Sequence, residues 1–290
     1  MKLNVCVFSG GFDSALVLAR TFWRIEAGEH ERDERLLIVS VIPNYSGKKT
    51  NREEVARKNI IEYLSSKYRK VSYELSTIRI NYSDRVCSLK KYRKLTQPIT
   101  WLDGLMSSDM FNYDNLDTVT FNMSYNKEDQ ALIYRQEIEN IIQSSFNIMW
   151  MDRYKPSIQV LYPIAHRLKA DILEELIDDY PDVYNYATTC ENAYHDTDDC
   201  GMCHPCNELK WALAKISISG KYDSIREFAK KELERRFHQS ISMTPCNNDE
   251  SATYMESNVK DLLDNMENDK LDSSNWLKRT VDNNKEVEND

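Results

Sequence analysis

The chain has 290 residues, of which 41% are hydrophobic and 29% charged, a balance typical of a globular protein with a buried core. Its formal net charge of −9 argues against an extended binding surface for duplex DNA or long RNA, although a single nucleotide is not excluded. No run approaches the ~20 apolar residues that a membrane-spanning helix needs, and the N-terminus lacks the pattern of a signal peptide, so we expect a cytoplasmic protein.

Apolar runs and helical patterns alternate along the first 180 residues. An apolar run at 3–8 predicts a buried strand, and a helical pattern at 13–27 follows it directly. Further strands are predicted at 36–42, 71–78, 118–123 and 158–162, and further helices at 50–65, within 97–111, at 130–142 and at 169–177. We therefore expect an α/β fold with a doubly wound, mostly parallel sheet, in which ligands bind beyond the carboxyl ends of the strands.

The C-terminal part of the chain differs in composition. Helical patterns at 206–218 and 222–237 follow a window that is rich in cysteine. Residues 249–290 then contain 12 acidic side chains against five basic ones, and this acidic segment is expected to be partly helical or disordered.

The first predicted strand runs directly into the hexapeptide Ser9-Gly10-Gly11-Phe12-Asp13-Ser14. Glycines permit backbone angles closed to other residues and let a ligand approach the main chain. N–H groups at the start of the following helix favour an anion, and Ser9 and Ser14 add hydroxyl donors. Asp13 could cap the helix or help to hold Mg²⁺. The pattern predicts a nucleotide phosphate loop that lacks the lysine of a Walker loop and the third glycine of the dinucleotide fingerprint.

This hexapeptide resembles the signature of the PP-loop ATP pyrophosphatases. The resemblance implies that the chain uses ATP with Mg²⁺, splits it between the α- and β-phosphates, and activates a carboxyl or carbonyl oxygen as an adenylate. It implies that Asp13 is catalytic and that the phosphate-binding residues are Ser9, Gly10, Gly11, Phe12, Asp13 and Ser14.

Four cysteines share one window, with the spacing Cys190-x₉-Cys200-x₂-Cys203-x₂-Cys206. In a cytoplasmic chain such a cluster is more typical of a metal site than of disulfides, and four thiolates form a closed tetrahedral zinc site. An iron–sulfur cluster and a set of unlinked buried thiols are the alternatives. His195 or His204 could replace one ligand. We expect a helical, zinc-bearing C-terminal subdomain.

A cysteine window downstream of this phosphate loop resembles the QueC family of 7-cyano-7-deazaguanine synthases, and the resemblance covers roughly residues 3–215. It matches Cys190, Cys200, Cys203 and Cys206 to the zinc ligands of the family one for one. Tyr162-Pro163-Ile164 and the segment 168–172 resemble a family motif whose lysine corresponds to Lys169, which implies that Lys169 is catalytic. Asn44 and Tyr45 stand where the family carries a turn beside the adenosine.

The resemblance implies a ligase of the queuosine pathway that forms C–N bonds. Such an enzyme converts 7-carboxy-7-deazaguanine and ammonia to 7-cyano-7-deazaguanine while ATP becomes AMP and pyrophosphate, or ADP and phosphate. The implied partners are ATP, the deazapurine and ammonia, with a homodimer left open and no membrane association. The overall acidity counts against nucleic acid as a partner without excluding it.

Two segments depart from the family pattern. Residues 122–129 stand in place of an acidic, proline-containing loop that helps to hold the deazapurine, and the turn at 44–47 lacks its glutamine. Three alternatives therefore stay open: a diverged ligase acting on nucleic acid or protein, an enzyme of tRNA thiolation, and a non-catalytic, zinc-stapled interaction protein. The expected organisation is an ATP-binding domain at 1–182, a zinc-binding helical subdomain at 183–238 and an acidic tail at 239–290.

Overall fold

The computed structural model describes residues 1–31, 33–44, 50–81, 101–102, 104–108, 113, 115–149, 155–190, 201 and 203–242. The chain divides into two compact units, Met1–Thr188 and Thr189–Asp290. The expected domain boundaries at 182 and 238 stay predictions. Most of the acidic tail, from residue 243 onward, lies outside the described residues.

Strands and helices alternate through the first unit. Its strands are β1 (Lys2–Val7), β2 (Glu34–Asn44), β3 (Tyr73–Asn81), β4 (Thr118–Asn122) and β5 (Ser157–Leu161). Its α-helices are α1 (Phe12–Glu26), α2 (Thr50–Lys67), α3 (Arg135–Met149), α4 (Lys169–Asp179) and α5 (Pro181–Tyr186), and a 3₁₀ helix (Gln130–Tyr134) precedes α3.

The five strands form one sheet in the order β3-β2-β1-β4-β5, and every described pair is parallel. The expected α/β fold with a doubly wound sheet is therefore confirmed. Successive connections run in opposite directions on the two sides of β1, so the strand order reverses between β1 and β4. In sheets of this kind a crevice opens at that reversal, beyond the carboxyl ends of the strands, and ligands bind there.

The sheet is covered on both faces, which explains why its central strands are almost continuously apolar. Val5 on β1 and Phe121 on β4 are fully buried, and Phe121 stacks on Phe146 of α3 with ring centroids 5.0 Å apart. Burial of one such side chain contributes about 1.5–3 kcal/mol. A Cβ at Gly104 would lie 2.1 Å from a methyl of Val41, so only glycine lets the backbone pack this closely on the sheet.

Helices α1 and α4 are joined by an ion cluster. Glu175 on α4 accepts hydrogen bonds from Arg20 on α1, at 2.6 and 2.5 Å, and from Arg167. Burial acts to raise the pKa of Glu175, but the bonds from the two arginines outweigh it and hold the pKa below its ordinary value. The cluster therefore stabilises the helices that frame the end of β1.

The second unit is helical in its described part. Helix α6 (His204–Ser219) and helix α7 (Asp223–Ser242) pack against each other through fully or nearly fully buried apolar side chains such as Leu213 and Ala229. Gly220 ends α6 with a hydrogen bond from its N–H to the carbonyl of Ile216 at 2.8 Å. Across the described residues of the chain, no helix combines the length and apolarity required to cross a bilayer.

Candidate functional site

The predicted phosphate loop lies between β1 and α1, at the point where the strand order reverses. Gly10 has a φ of 88°, and a Cβ there would lie 3.1 Å from the Glu53 carbonyl oxygen and 3.2 Å from Arg57 Cγ. Gly11 has a φ of −80° and a ψ of 164°, which any residue can adopt. The expected need for glycine-only backbone angles therefore holds for Gly10 and not for Gly11.

The two serine hydroxyls form hydrogen bonds with other residues of the same loop. Ser9 Oγ and Ser14 Oγ lie 3.0 Å apart, and the N–H of Gly11 donates to Ser9 Oγ at 3.3 Å. Ser14 Oγ in turn donates to the Gly11 carbonyl at 3.1 Å. Both hydroxyls hold the shape of the loop, while the first N–H groups of α1 have no acceptor within the helix.

Asp13 and Lys169 form the charged centre of the site. Lys169 is the first residue of α4, and its Nζ lies 2.7 Å from Asp13 Oδ2 although only 3% of the lysine is exposed. The other carboxylate oxygen, Asp13 Oδ1, is buried without a hydrogen-bond partner. Gly11, not Asp13, occupies the N-cap of α1, so the alternative role of Asp13 as the helix cap is wrong.

Two further contacts to Asp13 and Lys169 come from the segment 122–129, which departs from the family pattern. Asn126 Nδ2 donates to Asp13 Oδ2 at 3.4 Å, and Glu128 Oε2 accepts the N–H of Lys169 at 3.0 Å. Sequence reasoning missed both residues because they lie more than 100 positions from Asp13 and match no motif. Two signals pointed to this segment: it stands in place of the family's substrate loop, and it directly follows a predicted buried strand at the edge where ligands bind.

Three aromatic rings stack on one another: Tyr125 follows β4, Tyr162 follows β5, and Trp101 precedes β4 in the chain. Tyr125 stacks on Trp101 with centroids 5.8 Å apart, and on Tyr162 with centroids 6.3 Å apart. The hydroxyls of Tyr125 and Tyr162 are both buried without a hydrogen-bond partner. Burial raises the pKa of Tyr125 well above its ordinary value and that of Tyr162 to about 12, so both phenols are neutral donors near pH 7.

Two of the predicted nucleotide contacts, Asn44 and Tyr45, lie at the end of β2 and after it. Asn44 is the last residue of β2, but its side chain is not among the described atoms. Tyr45 lies outside the described residues altogether. Their suggested place beside the adenosine stays a prediction.

Three of the four predicted zinc ligands meet in the second unit. The sulfur atoms of Cys190, Cys203 and Cys206 all lie within 4.8 Å of one another, and no described cysteine forms a disulfide. Cys203 is the N-cap of α6, where the helix dipole favours a thiolate. Sulfurs of a tetrahedral zinc site lie about 3.8 Å apart, given a Zn–S bond of about 2.3 Å, so this cluster fits a metal.

The remaining candidates of the cysteine window fall elsewhere. Cys200 and His195 lie outside the described residues. His204 is 59% exposed in its side chain, and its Nε2 lies 3.1 Å from Glu208 one turn along α6. This pairing favours a surface position for His204 over a place among the metal ligands.

An open cavity of about 630 Å³ lies at the opposite edge of the sheet, where β2 and β3 begin. Three of its charged lining residues are paired: Glu34 binds Arg24, and Arg35 lies 3.5 Å from Glu74. The cavity is therefore distant from the candidate chemistry, which lies at the carboxyl ends of the strands.

Comparison with known proteins identifies one matching family profile and one remotely similar solved structure. The sequence profile of the family described as "Queuosine biosynthesis protein QueC" matches residues 3–217. A solved structure of the U34-tRNA thiolase NcsA from Methanococcus maripaludis, with its 4Fe–4S cluster, is similar at 13% identity and a TM-score of 0.40, covering 81% of this chain and 73% of that one. No curated protein sequence matches significantly.

Proposed function

This chain belongs to the QueC family of queuosine biosynthesis proteins, and on that premise we propose that it is an ATP-dependent ligase that adenylates a carboxylate. The substrate that we propose is 7-carboxy-7-deazaguanine, which ammonia converts to 7-cyano-7-deazaguanine. The observation that carries the proposal is the ion pair between buried Lys169 and partly buried Asp13 beside the phosphate loop. In an ATP–Mg²⁺ complex the phosphates are negative and the metal ion is positive. The cation of Lys169 complements the phosphates, and the carboxylate of Asp13 complements the metal ion.

Lys169 has the properties of a group that offsets negative charge. A carboxylate that attacks ATP meets the like charge of the phosphates, and the ammonium can reduce that repulsion and stabilise the leaving pyrophosphate. Because the side chain is shielded from water, its field acts more strongly than it would at the surface. The N–H groups at the start of α1 add further stabilisation of phosphate charge.

Asp13 fits a role as a ligand to Mg²⁺. Its Oδ1 is buried without a hydrogen-bond partner, and a carboxylate oxygen is the ligand that Mg²⁺ prefers. The bound ion would supply Lewis-acid neutralisation of the phosphate oxygens. Asp13 also holds Lys169 in place through Oδ2, so one carboxylate would serve both the metal and the cation.

The proposed reaction consumes two molecules of ATP. First, a carboxylate oxygen bonds to the α-phosphorus, and the bond to the bridging oxygen breaks as pyrophosphate leaves. Ammonia then attacks the carboxyl carbon, AMP leaves and a proton is lost, which gives the amide. In the second round the amide oxygen bonds to the α-phosphorus of a second ATP, and pyrophosphate leaves. The nitrogen then loses two protons as AMP leaves with that oxygen, which gives the nitrile.

The aromatic residues after β4 and β5 support an acceptor with a flat ring. Stacked rings attract planar heterocycles, and the two unpartnered phenols of Tyr125 and Tyr162 can donate to ring nitrogens or carbonyls. Asn126, next to Tyr125, contacts Asp13, so the aromatic side chains adjoin the charged centre along the chain.

For the cysteine cluster we propose a structural zinc ion held by Cys190, Cys200, Cys203 and Cys206. Three sulfurs already lie within 4.8 Å of one another, and a closed set of four thiolates leaves no open position for a substrate. The ion would contribute to folding of the second unit, because metal binding and folding are coupled in such sites.

The test is incubation of the full-length protein with ATP, Mg²⁺, ammonium and 7-carboxy-7-deazaguanine, followed by mass spectrometry. We expect the nitrile, with the amide as an intermediate, and two AMP for each nitrile. Absence of both products would remove the proposed acceptor. ADP in place of AMP would contradict cleavage at the α-phosphate, whatever the acceptor.

Elemental analysis tests the metal independently of activity. We expect one zinc per chain and little iron, and we expect Cys203→Ser to release the zinc and lower the melting temperature. The control is Cys6→Ser, since Cys6 is buried in β1 and belongs to a different unit. Iron and sulfide at cluster stoichiometry would contradict the zinc assignment.

A further inference from the structure

Three successive carbonyl groups, from the end of β1 into the phosphate loop, accept hydrogen bonds from other parts of the chain. The Phe8 carbonyl accepts from Ser40 Oγ of β2 at 3.1 Å, and the Ser9 carbonyl accepts from Arg57 Nη1 of α2 at 2.9 Å. The Gly10 carbonyl accepts from the N–H of Thr188, which follows α5, at 3.1 Å. Three separate elements therefore hold three consecutive carbonyl oxygens.

The direction of a carbonyl fixes the direction of the next N–H. In a trans peptide the C=O and the N–H of one plane point in opposite directions. The bond from Arg57 draws the Ser9 carbonyl toward α2 and so directs the Gly10 N–H away from α2. This N–H has no hydrogen-bond acceptor among the described residues.

Arg57 is not explained by stability alone. Only 4% of the residue is exposed, its Nη2 is buried without a partner, and the nearest Glu53 oxygen is 3.9 Å away. Burial also lowers its pKa, which reflects the cost of keeping the charge there. A buried guanidinium with an unused donor is unfavourable, so a role that depends on its one bond to the loop is the simplest reason for its presence.

We propose that Arg57 is a positioning residue of the phosphate site, which directs the Gly10 N–H toward the bound phosphate by holding the Ser9 carbonyl. This inference rests on the proposed use of ATP. The absence of a side chain at Gly10 leaves room for this contact, because Arg57 Cγ would lie only 3.2 Å from a Cβ at Gly10.

Binding measurements separate this role from general support of the fold. Calorimetric titration uses α,β-methylene-ATP, which cannot be cleaved at the α-phosphate, and adenosine, which has no phosphate. Arg57→Met is expected to weaken α,β-methylene-ATP about 10- to 100-fold and to leave adenosine unchanged, because a hydrogen bond from a charged donor is lost. Arg57→Lys, which keeps a donor, is expected to stay within about threefold of the wild type.

The matched control is Arg35→Met at the opposite edge of the sheet, where Arg35 is 59% exposed in its side chain. It is expected to change neither affinity. Equal weakening of both ligands by Arg57→Met, or no weakening of α,β-methylene-ATP, would overturn the inference. A wild type that binds α,β-methylene-ATP but forms no nitrile would contradict the proposed acceptor alone, and a wild type that binds no ATP analogue would overturn both.

A second measurement on the wild type covers the case in which Arg57→Met does not fold. The chain contains only seven glycines, so selective ¹⁵N-glycine labelling gives a simple spectrum. Addition of α,β-methylene-ATP is expected to shift the Gly10 amide proton strongly downfield, as a new charge-assisted bond forms. A Gly10 signal that does not move when the ligand binds would contradict the inference.

Discussion

Polar groups at the amino ends of the strands differ from those at the carboxyl ends in exposure and in pairing. At the amino edge the named charges are paired, and most of them are exposed: the N-terminus lies 2.5 Å from Asp117, Lys2 binds Glu31, and Arg35 lies 3.5 Å from Glu74. At the carboxyl edge Arg57 and Lys169 are buried and Asp13 is partly buried, and single atoms of Asp13, Arg57 and Thr188 have no hydrogen-bond partner.

This contrast indicates where a ligand is accommodated. A buried polar atom without a partner costs about 1–3 kcal/mol, and such atoms are retained where a ligand can satisfy them. The open cavity lies at the amino edge, where the polar groups are already satisfied. The unsatisfied buried groups therefore mark the carboxyl edge as the candidate site.

The largest expected effect follows from the replacement of the carboxylate at the centre of the carboxyl edge. Asp13→Asn removes the proposed magnesium ligand and the partner of Lys169, so the rate of AMP formation should fall about 10³-fold. AMP is measured by chromatography at saturating ATP. Asp117→Asn, at the exposed amino edge, should leave the rate unchanged, and an equal loss in both variants would contradict the contrast between the edges.

Removal of the buried cation should have the next largest effect. Lys169→Met keeps the length of the side chain but loses the ammonium, and kcat for AMP formation should fall about 10²-fold while the protein stays folded by circular dichroism. Lys2→Met, which removes an exposed cation at the amino edge, is the control. A Lys169→Met enzyme with the kcat of the wild type would show that the lysine is structural.

Of the three described glycines with left-handed backbone, Gly10 and Gly28 provide a matched pair. Gly10→Ala introduces strain of about 1–2 kcal/mol and places a Cβ 3.1 Å from the Glu53 carbonyl oxygen, so affinity for ATP should fall about tenfold. Gly28→Ala has similar strain at a φ of 79°, but its Cβ meets nothing within 4 Å. Both variants should lose stability, and only Gly10→Ala should lose affinity.

The smallest effect concerns stability against pH. The folded pKa of Glu175 lies below its unfolded value, so its contribution is present above about pH 4.5 and is lost as the pH falls through the folded pKa. At pH 7, Glu175→Gln should lower the free energy of unfolding by about 1–2 kcal/mol, and the difference should shrink below pH 4.5. Urea denaturation at pH 7 and pH 3.5 measures it, and a constant difference would contradict the linkage.

Local patterns were sufficient to predict the five strands, most of the helices and part of the site, although the short helix Pro181–Tyr186 was not predicted. The apolar run before Ser9 predicts β1, and the glycines and serines after it predict the loop, because strand, turn and helix signals are adjacent in the sequence. The spacing of Cys190, Cys203 and Cys206 likewise predicted a cluster that the structure brings together. Such signals depend on short-range geometry, which the order of the residues specifies.

The rest of the site depends on contacts between distant parts of the chain. Arg57 lies in a polar helical pattern and would be taken for a surface residue, yet packing of α2 on the sheet buries it against Ser9. Thr188 and Asn126 reach the loop only because the strand order brings their segments to the same edge. No local pattern in one sequence contains that information.

The central claim, that a carboxylate is activated by adenylation at this site, has a direct test. The reaction is run with 7-carboxy-7-deazaguanine carrying ¹⁸O in both carboxylate oxygens, and the nucleotide products are analysed by mass spectrometry. Because each oxygen leaves with one AMP, the account predicts nitrile together with AMP that contains one ¹⁸O per molecule. Nitrile formed with unlabelled AMP, or with the label in inorganic phosphate beside ADP, would contradict it.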